Sequence, residues 1–132
     1  MVSIEHGDLI EQRRGGVDVL RVLVRNLAMH EQSGAVCIRS AVENTEQQGW
    51  LLFRLGQPVM AFHNGATDHV GLEALLAIEQ DALEVDNHVL LYELRMISLR
   101  STLRQHPKSV VHLEHQDSVP AGGSGSLRFA SY

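Results

Sequence analysis

The side chains with reactive chemistry in this sequence are few and scattered. One thiol, Cys37, stands between Val36 and Ile38 in an apolar run. A nucleophilic cysteine needs a partly exposed, electropositive setting and a nearby base that holds it as thiolate. Neither is written around Cys37, which therefore reads as an inert packing thiol. As the only cysteine it also excludes an internal disulfide. Among eight histidines, the best metal-binding set is His63, Asp68 and His69 around the Asn64-Gly65 turn, with the His112-x-x-His115 pair as a second. Zinc takes three or four convergent ligands, and neither set has the paired spacing of a zinc ribbon or of a helical His-Glu-x-x-His. Solvated loop histidines are expected, with no metal and no cofactor.

Two further chemistries are weighed in the same way. A carboxylate pair doing acid–base work needs two acids in one cleft with separated pKa values. Glu73 is the only acid set in a motif, and it reads as a helix-surface carboxylate. Phosphate binding needs a glycine-rich loop whose amides point at the anion. Asn64-Gly65-Ala66-Thr67 joins strand to helix, yet it lacks the glycines and the lysine, so it reads as a helix cap. No catalytic residue is expected.

Residues suited to a partner are easier to find. Trp50 opens a strand, and if it points away from Leu51 and Phe53 it leaves, with Leu52, an outer docking face. The apolar residues of the last third, Leu90, Leu91, Leu94, Met96, Ile97, Leu99 and Leu103, exceed one narrow helical stripe, so Leu91, Met96 and Leu99 are candidates for a contact surface. A third candidate is Leu127, Phe129 and Tyr132, which follow the linker-like stretch Gly122-Gly123-Ser124-Gly125-Ser126 and could add to a sheet edge or fill a groove.

These residues have to be positioned by a chain of 132 residues, a length that suits one domain with an appended tail. With 44% hydrophobic and 20% charged residues the body is globular. The net charge of −5 and the scattered Lys and Arg offer no face for phosphates, so nucleic acid is not an expected partner. No apolar run is long enough to cross a bilayer and no signal segment is seen at the N-terminus, so a cytoplasmic protein without a membrane partner is expected.

Periodicity sets the elements. Met1–Gly16 reads as an extended or turn-like lead-in. Val17, Leu20, Leu23, Val24 and Leu27 predict an amphipathic helix to His30. Ala35–Val42, Trp50–Leu55 and Pro58–His63 predict three antiparallel strands, the last two joined at Gly56-Gln57. A helix is predicted from an N-cap at Thr67 to about Gln80, then a strand-like piece at Ala82–Val85, then a helix from His88 to Gln105 stopped by Pro107. The expected fold class is α+β, an antiparallel meander packed against helices over residues 1–106. An extended or flexible tail is expected over residues 107–132.

This order resembles a PATAN domain over roughly residues 7–105. The likeness is carried by Gly7-Asp8-Leu9, Ser33-Gly34-Ala35-Val36-Cys37-Ile38, the hairpin Gly49-Trp50-Leu51-Leu52-Phe53-Arg54-Leu55-Gly56, and Gly71-Leu72-Glu73-Ala74-Leu75-Leu76. The resemblance implies a signalling module without an established active site, in a family often fused to receiver domains and associated with motility and development. The expectation is a non-enzymatic adaptor that binds another protein, with homo-oligomers left open. Two alternatives stand: a small-ligand or metal-dependent sensor built on His63, Asp68 and His69, and a subunit targeted to a larger assembly by Leu127–Tyr132.

Overall fold

A computed structural model describes residues 4–15, 17–42, 45–83 and 87–111. Six strands form one antiparallel sheet: β1 (Leu9–Arg14), β2 (Gly34–Val42), β3 (Thr45–Arg54), β4 (Gln57–Asn64), β5 (His69–Val70) and β6 (His88–Tyr92). Their spatial order is β1-β6-β2-β3-β4-β5. Three α-helices, α1 (Val17–Met29), α2 (Leu72–Ala82) and α3 (Met96–Gln105), and a short 3-10 turn at Pro107–Ser109 complete it. The α+β class and the β2-β3-β4 meander are as the sequence predicts.

The sheet is covered on both sides. On one, Leu20, Leu23, Val24 and Leu27 of α1 and Ala74, Leu75 and Ile78 of α2 close over Val36, Ile38, Leu51, Phe53, Val89 and Leu91. On the other, Leu94 and Leu99 lie over Ala35, Cys37, Trp50, Leu52, Met60, Phe62 and Leu90. Alternate residues of each central strand thus serve opposite cores, and the strands read as continuous apolar runs.

That two-sided burial overturns the helix predicted from His88. His88–Tyr92 is β6, lying between β1 and β2, with Val36 paired to Leu91 and Cys37 to Leu90. An apolar run buried on both faces has no period of two to distinguish it from a helix. Only Met96–Gln105 is helical, ending before Pro107 as expected.

The predicted start of α2 also moves. Thr67 is not its cap: β5 intervenes, and the helix begins at Leu72 behind Gly71, whose φ of 66° and ψ of −137° belong to glycine. There the chain turns under its own later segment, since a Cβ on Gly71 would lie 2.8 Å from the Lys108 carbonyl oxygen. Ala82 ends α2 rather than opening a strand, and Glu84 and Val85 lie outside the described residues. The β3–β4 turn sits at Leu55-Gly56, one residue earlier than predicted, with φ of 50° and 85°. Two positive φ angles match the twist of a two-residue hairpin.

The chain stays on the body beyond Pro107. Val110 bridges to Met60, the Val111 amide donates to the Val59 carbonyl at 2.9 Å, and Val111 is buried in the α1–α2 core. The outer edge of β4 is therefore covered by residues 110–111 and β5, leaving β1 as the uncovered long edge among the described strands.

Candidate functional site

Of the groups singled out in the sequence, His63 is the one the fold builds around. It lies on β4 opposite Gly49 of β3, on the side that α2 covers. Gly49 lets that helix come close, because a Cβ there would stand 2.4 Å from the Ile78 Cγ1. Three residues along the same helix face, Asp81 meets His63, Nε2 to Oδ2 at 2.7 Å, and both are buried. Asn87 secures the far side, its Nδ2 donating to the Asp81 carbonyl at 2.9 Å, while the Gly15 amide donates to the Asn87 carbonyl at 3.2 Å.

The sequence reading passed over Asp81 and Asn87. A signal was present: Asp81 falls on the inward arc of α2 with Ala74 and Ile78, and an acid at a core position needs a buried partner.

A His–Asp pair can orient a general base; here both side chains are buried. His63 Nδ1 is buried without a hydrogen-bond partner among the described residues. His69 lies across in register, with its ring centroid 6.3 Å from that of His63. Its Nδ1 turns instead to Glu73 Oε2 at 3.4 Å, and Asp68 is exposed on the preceding turn. Among the described residues no three His, Cys, Asp or Glu side chains converge as a metal ion requires. His112 and His115 lie outside the described residues.

A second polar locus lies on the opposite side of the sheet, the side that Leu90 faces. Gln12, Arg39, Ala41, Glu46, His88 and Leu90 line an open hollow of about 590 Å³. Arg39 Nε and Nη2 donate to Glu46 Oε1 at 3.1 and 2.8 Å, and that bond holds the Glu46 carboxyl below its ordinary range. The same strand carries Cys37, where burial pushes the thiol up to about 12. It is a core thiol, inert as the sequence implied.

The candidate partner residues divide. Trp50 is 8% exposed and Leu52, Leu91 and Leu99 less; these four fill this chain's own cores and offer nothing to a partner. Trp50 stacks on His6 at 5.4 Å, and Leu52 is covered because α3 occupies the face that would have been free. Met96 is on the surface, while Leu127, Phe129 and Tyr132 lie outside the described residues. The other exposed aliphatics are spread over the surface: Leu9 and Ile10 on β1, Val22 and Met29 on α1, Leu55 in the β3–β4 turn, Leu72 and Leu76 on α2, Leu83 just past its end, and Ile97 beside Met96 on α3. Sequence periodicity places Leu72 and Leu76 on the apolar face of this helix with Leu75 and Ile78, and of these four only Leu75 and Ile78 are buried.

Among the described residues, no helix is long and apolar enough to cross a membrane. No family model, no curated protein and no solved structure matches the chain, so the PATAN likeness rests on its quoted motifs alone.

Proposed function

We propose that this chain is a non-enzymatic protein-interaction module of intracellular signalling, acting through side chains on its helices. The observation that carries this is the contrast between its two kinds of surface. The buried titratable pair, His63 with Asp81, is sealed under α2. Large aliphatic side chains, by contrast, stand in water on all three helices, among them Val22 and Met29 of α1, Leu72 and Leu76 of α2, and Met96 and Ile97 of α3. Exposed apolar surface of this kind can serve as a contact surface. The PATAN-like motifs support the same reading, and the cytoplasm is the compartment that suits it.

The test is recovery of a binding partner by the full chain beside Leu76→Glu and Ile97→Glu, with each recovered protein identified. Loss of a partner with either variant, at an unchanged melting temperature, is the expected result. Equal recovery by all three chains disposes of the proposal.

A second reading rests on the hollow over Arg39 and Glu46, which is large enough for a small polar ligand and offers donor and acceptor together. A thermal-shift screen of small polar metabolites, repeated on Arg39→Met, tests it. A stabilising compound that acts equally on the variant excludes this site.

A further inference from the structure

The hollow over Arg39 is walled by strands. Gln12 of β1, Arg39 and Ala41 of β2, Glu46 of β3, and His88 and Leu90 of β6 line its 590 Å³, and among the described residues no helix contributes. On this side of the sheet β2 passes from the buried Cys37 to the exposed Arg39, and β6 from the exposed His88 to the buried Leu90. An apolar core thus gives way to a polar surface within two residues on each strand.

Register makes that surface basic. Arg14 pairs with His88, and His88 with Arg39, so three basic side chains from three neighbouring strands stand in one row on one face. Directly opposed side chains lie ~4.5–5.5 Å apart at Cβ, and like charges placed so destabilise a sheet. A negative charge seated among them relieves the repulsion. Glu46 supplies one at the Arg39 end and from one side, since Nε and Nη2 both donate to the same oxygen, Oε1. Among the described residues, Arg39 Nη1, the ring nitrogens of His88 and the Gln12 amide make no hydrogen bond to protein.

We infer that the hollow binds a small organic acid bearing one carboxylate, held by Arg39 and His88. This rests on the small-ligand reading of the hollow and names its ligand class. Three features select it. The guanidinium and the imidazole offer N–H groups from neighbouring strands, so one carboxylate can accept from both. Glu46 stands on the same wall and opposes further negative charge, and that repulsion doubles for a dianion, which sets phosphate at a disadvantage. Leu90 and Ala41 form the apolar part of the lining, which suits a hydrocarbon body better than a bare inorganic ion. The Arg39 and Glu46 side chains are 47% and 57% exposed, and charge pairs in contact with water gain little, so the dissociation constant is ~1–10 mM.

The test is a titration of the nitrogen-15-labelled full chain, followed by amide chemical shifts at constant ionic strength balanced with NaCl. The ligands are sodium propionate, its neutral isostere propionamide and inorganic phosphate, each to about 50 mM. Propionate should give saturating shifts at the Gln12, Arg39 and His88 amides, propionamide should give none, and phosphate should bind about threefold more weakly or worse. Arg39→Met should weaken propionate about fivefold or more, and His88→Leu should weaken it as well. Glu46→Gln should raise the affinity for phosphate more than that for propionate.

Shifts that climb linearly without saturating, propionamide binding as well as propionate, or equal binding by Arg39→Met and the parent overturn the carboxylate site. Should Arg39→Met melt early, His88→Leu, at an exposed position, decides in its place. Phosphate or another compound that saturates at these amides where propionate does not overturns the ligand class and leaves the small-ligand reading standing. A hollow that no compound of the thermal-shift screen occupies removes both, so the two failures are read separately.

Discussion

Helix α2 is seated by an absent side chain, and Gly49→Ala tests that directly. A methyl at Gly49 would meet Ile78 Cγ1 at 2.4 Å and Cδ1 at 3.2 Å, with the Ile78 Cβ at 3.5 Å. Carbon atoms rest at ~3.5–4.0 Å, so the first contact is short by more than 1 Å. Ile78 has nowhere to move, being fully buried between α2 and the sheet. Overpacking of this kind costs about 1–3 kcal/mol. The φ of Gly49 lies outside the left-handed region, so alanine is not strained there, and replacing glycine in a strand returns about 0.5–1 kcal/mol. The net expectation is a loss of about 1–2 kcal/mol.

The decisive measurement is the same substitution in an Ile78→Ala background, which by itself should cost about 2–5 kcal/mol. There the clashing atoms are gone, the nearest remaining contact is the ordinary 3.5 Å one, and the added methyl fills part of the cavity. Gly49→Ala should then stabilise, giving a coupling of about 2–3 kcal/mol between the two sites. Urea unfolding followed by the fluorescence of the single tryptophan, the buried Trp50, supplies all four stabilities. Equal effects of Gly49→Ala in both backgrounds would refute the seating of α2 on β3 through this gap.

Three other outcomes follow from the same framework. Asp81→Leu leaves the His63 ring without its partner and should destabilise by about 1–3 kcal/mol. His63→Leu/Asp81→Leu should lose less than the sum of the single changes when both are measured by urea unfolding. Gly71→Ala places a side chain at φ 66° and a Cβ 2.8 Å from the Lys108 oxygen. It should cost about 1–3 kcal/mol of backbone strain and speed proteolysis after Lys108, as residues 108–111 lift from β4. Cys37 should resist a thiol reagent at pH 8 until the protein unfolds. Because burial raises its folded pKa from 9.0 to about 12, its contribution is intact below pH 9 and stability falls as pH climbs from there toward 12; Cys37→Ala should remove that slope.

How far the fold could be read depended on whether a strand kept a chemical contrast between its faces. The hairpin was legible because Gly56 and the strand lengths constrain a two-residue turn, and α1 because Leu20, Leu23, Val24 and Leu27 recur at helical spacing. Strand β6 was not, since Val89 and Leu91 serve one core and Leu90 the other, so period two is erased at the centre of the sheet. The start of α2 was misplaced for a different reason. Thr67 and Asp68 are good capping residues, but they lie in a turn, and the helix waits for the glycine that passes beneath Lys108.

The site failed to appear in the sequence because its members are brought together only by the crossing of α2 over β3 and β4. His63 and Asp81 are 18 positions apart, and neither sits in a motif that names the other. The reverse holds for the outer surfaces. The interval between Arg54 and Arg95 without Lys or Arg, and the one from Leu94 to Val111 without Asp or Glu, are plain in the sequence, yet as a linear pattern they mean only an acidic stretch followed by a basic one. Topology divides them: β6 follows α2 in the chain, pairs with β1 and β2 and leads into α3, and the two helices close over opposite faces of the sheet.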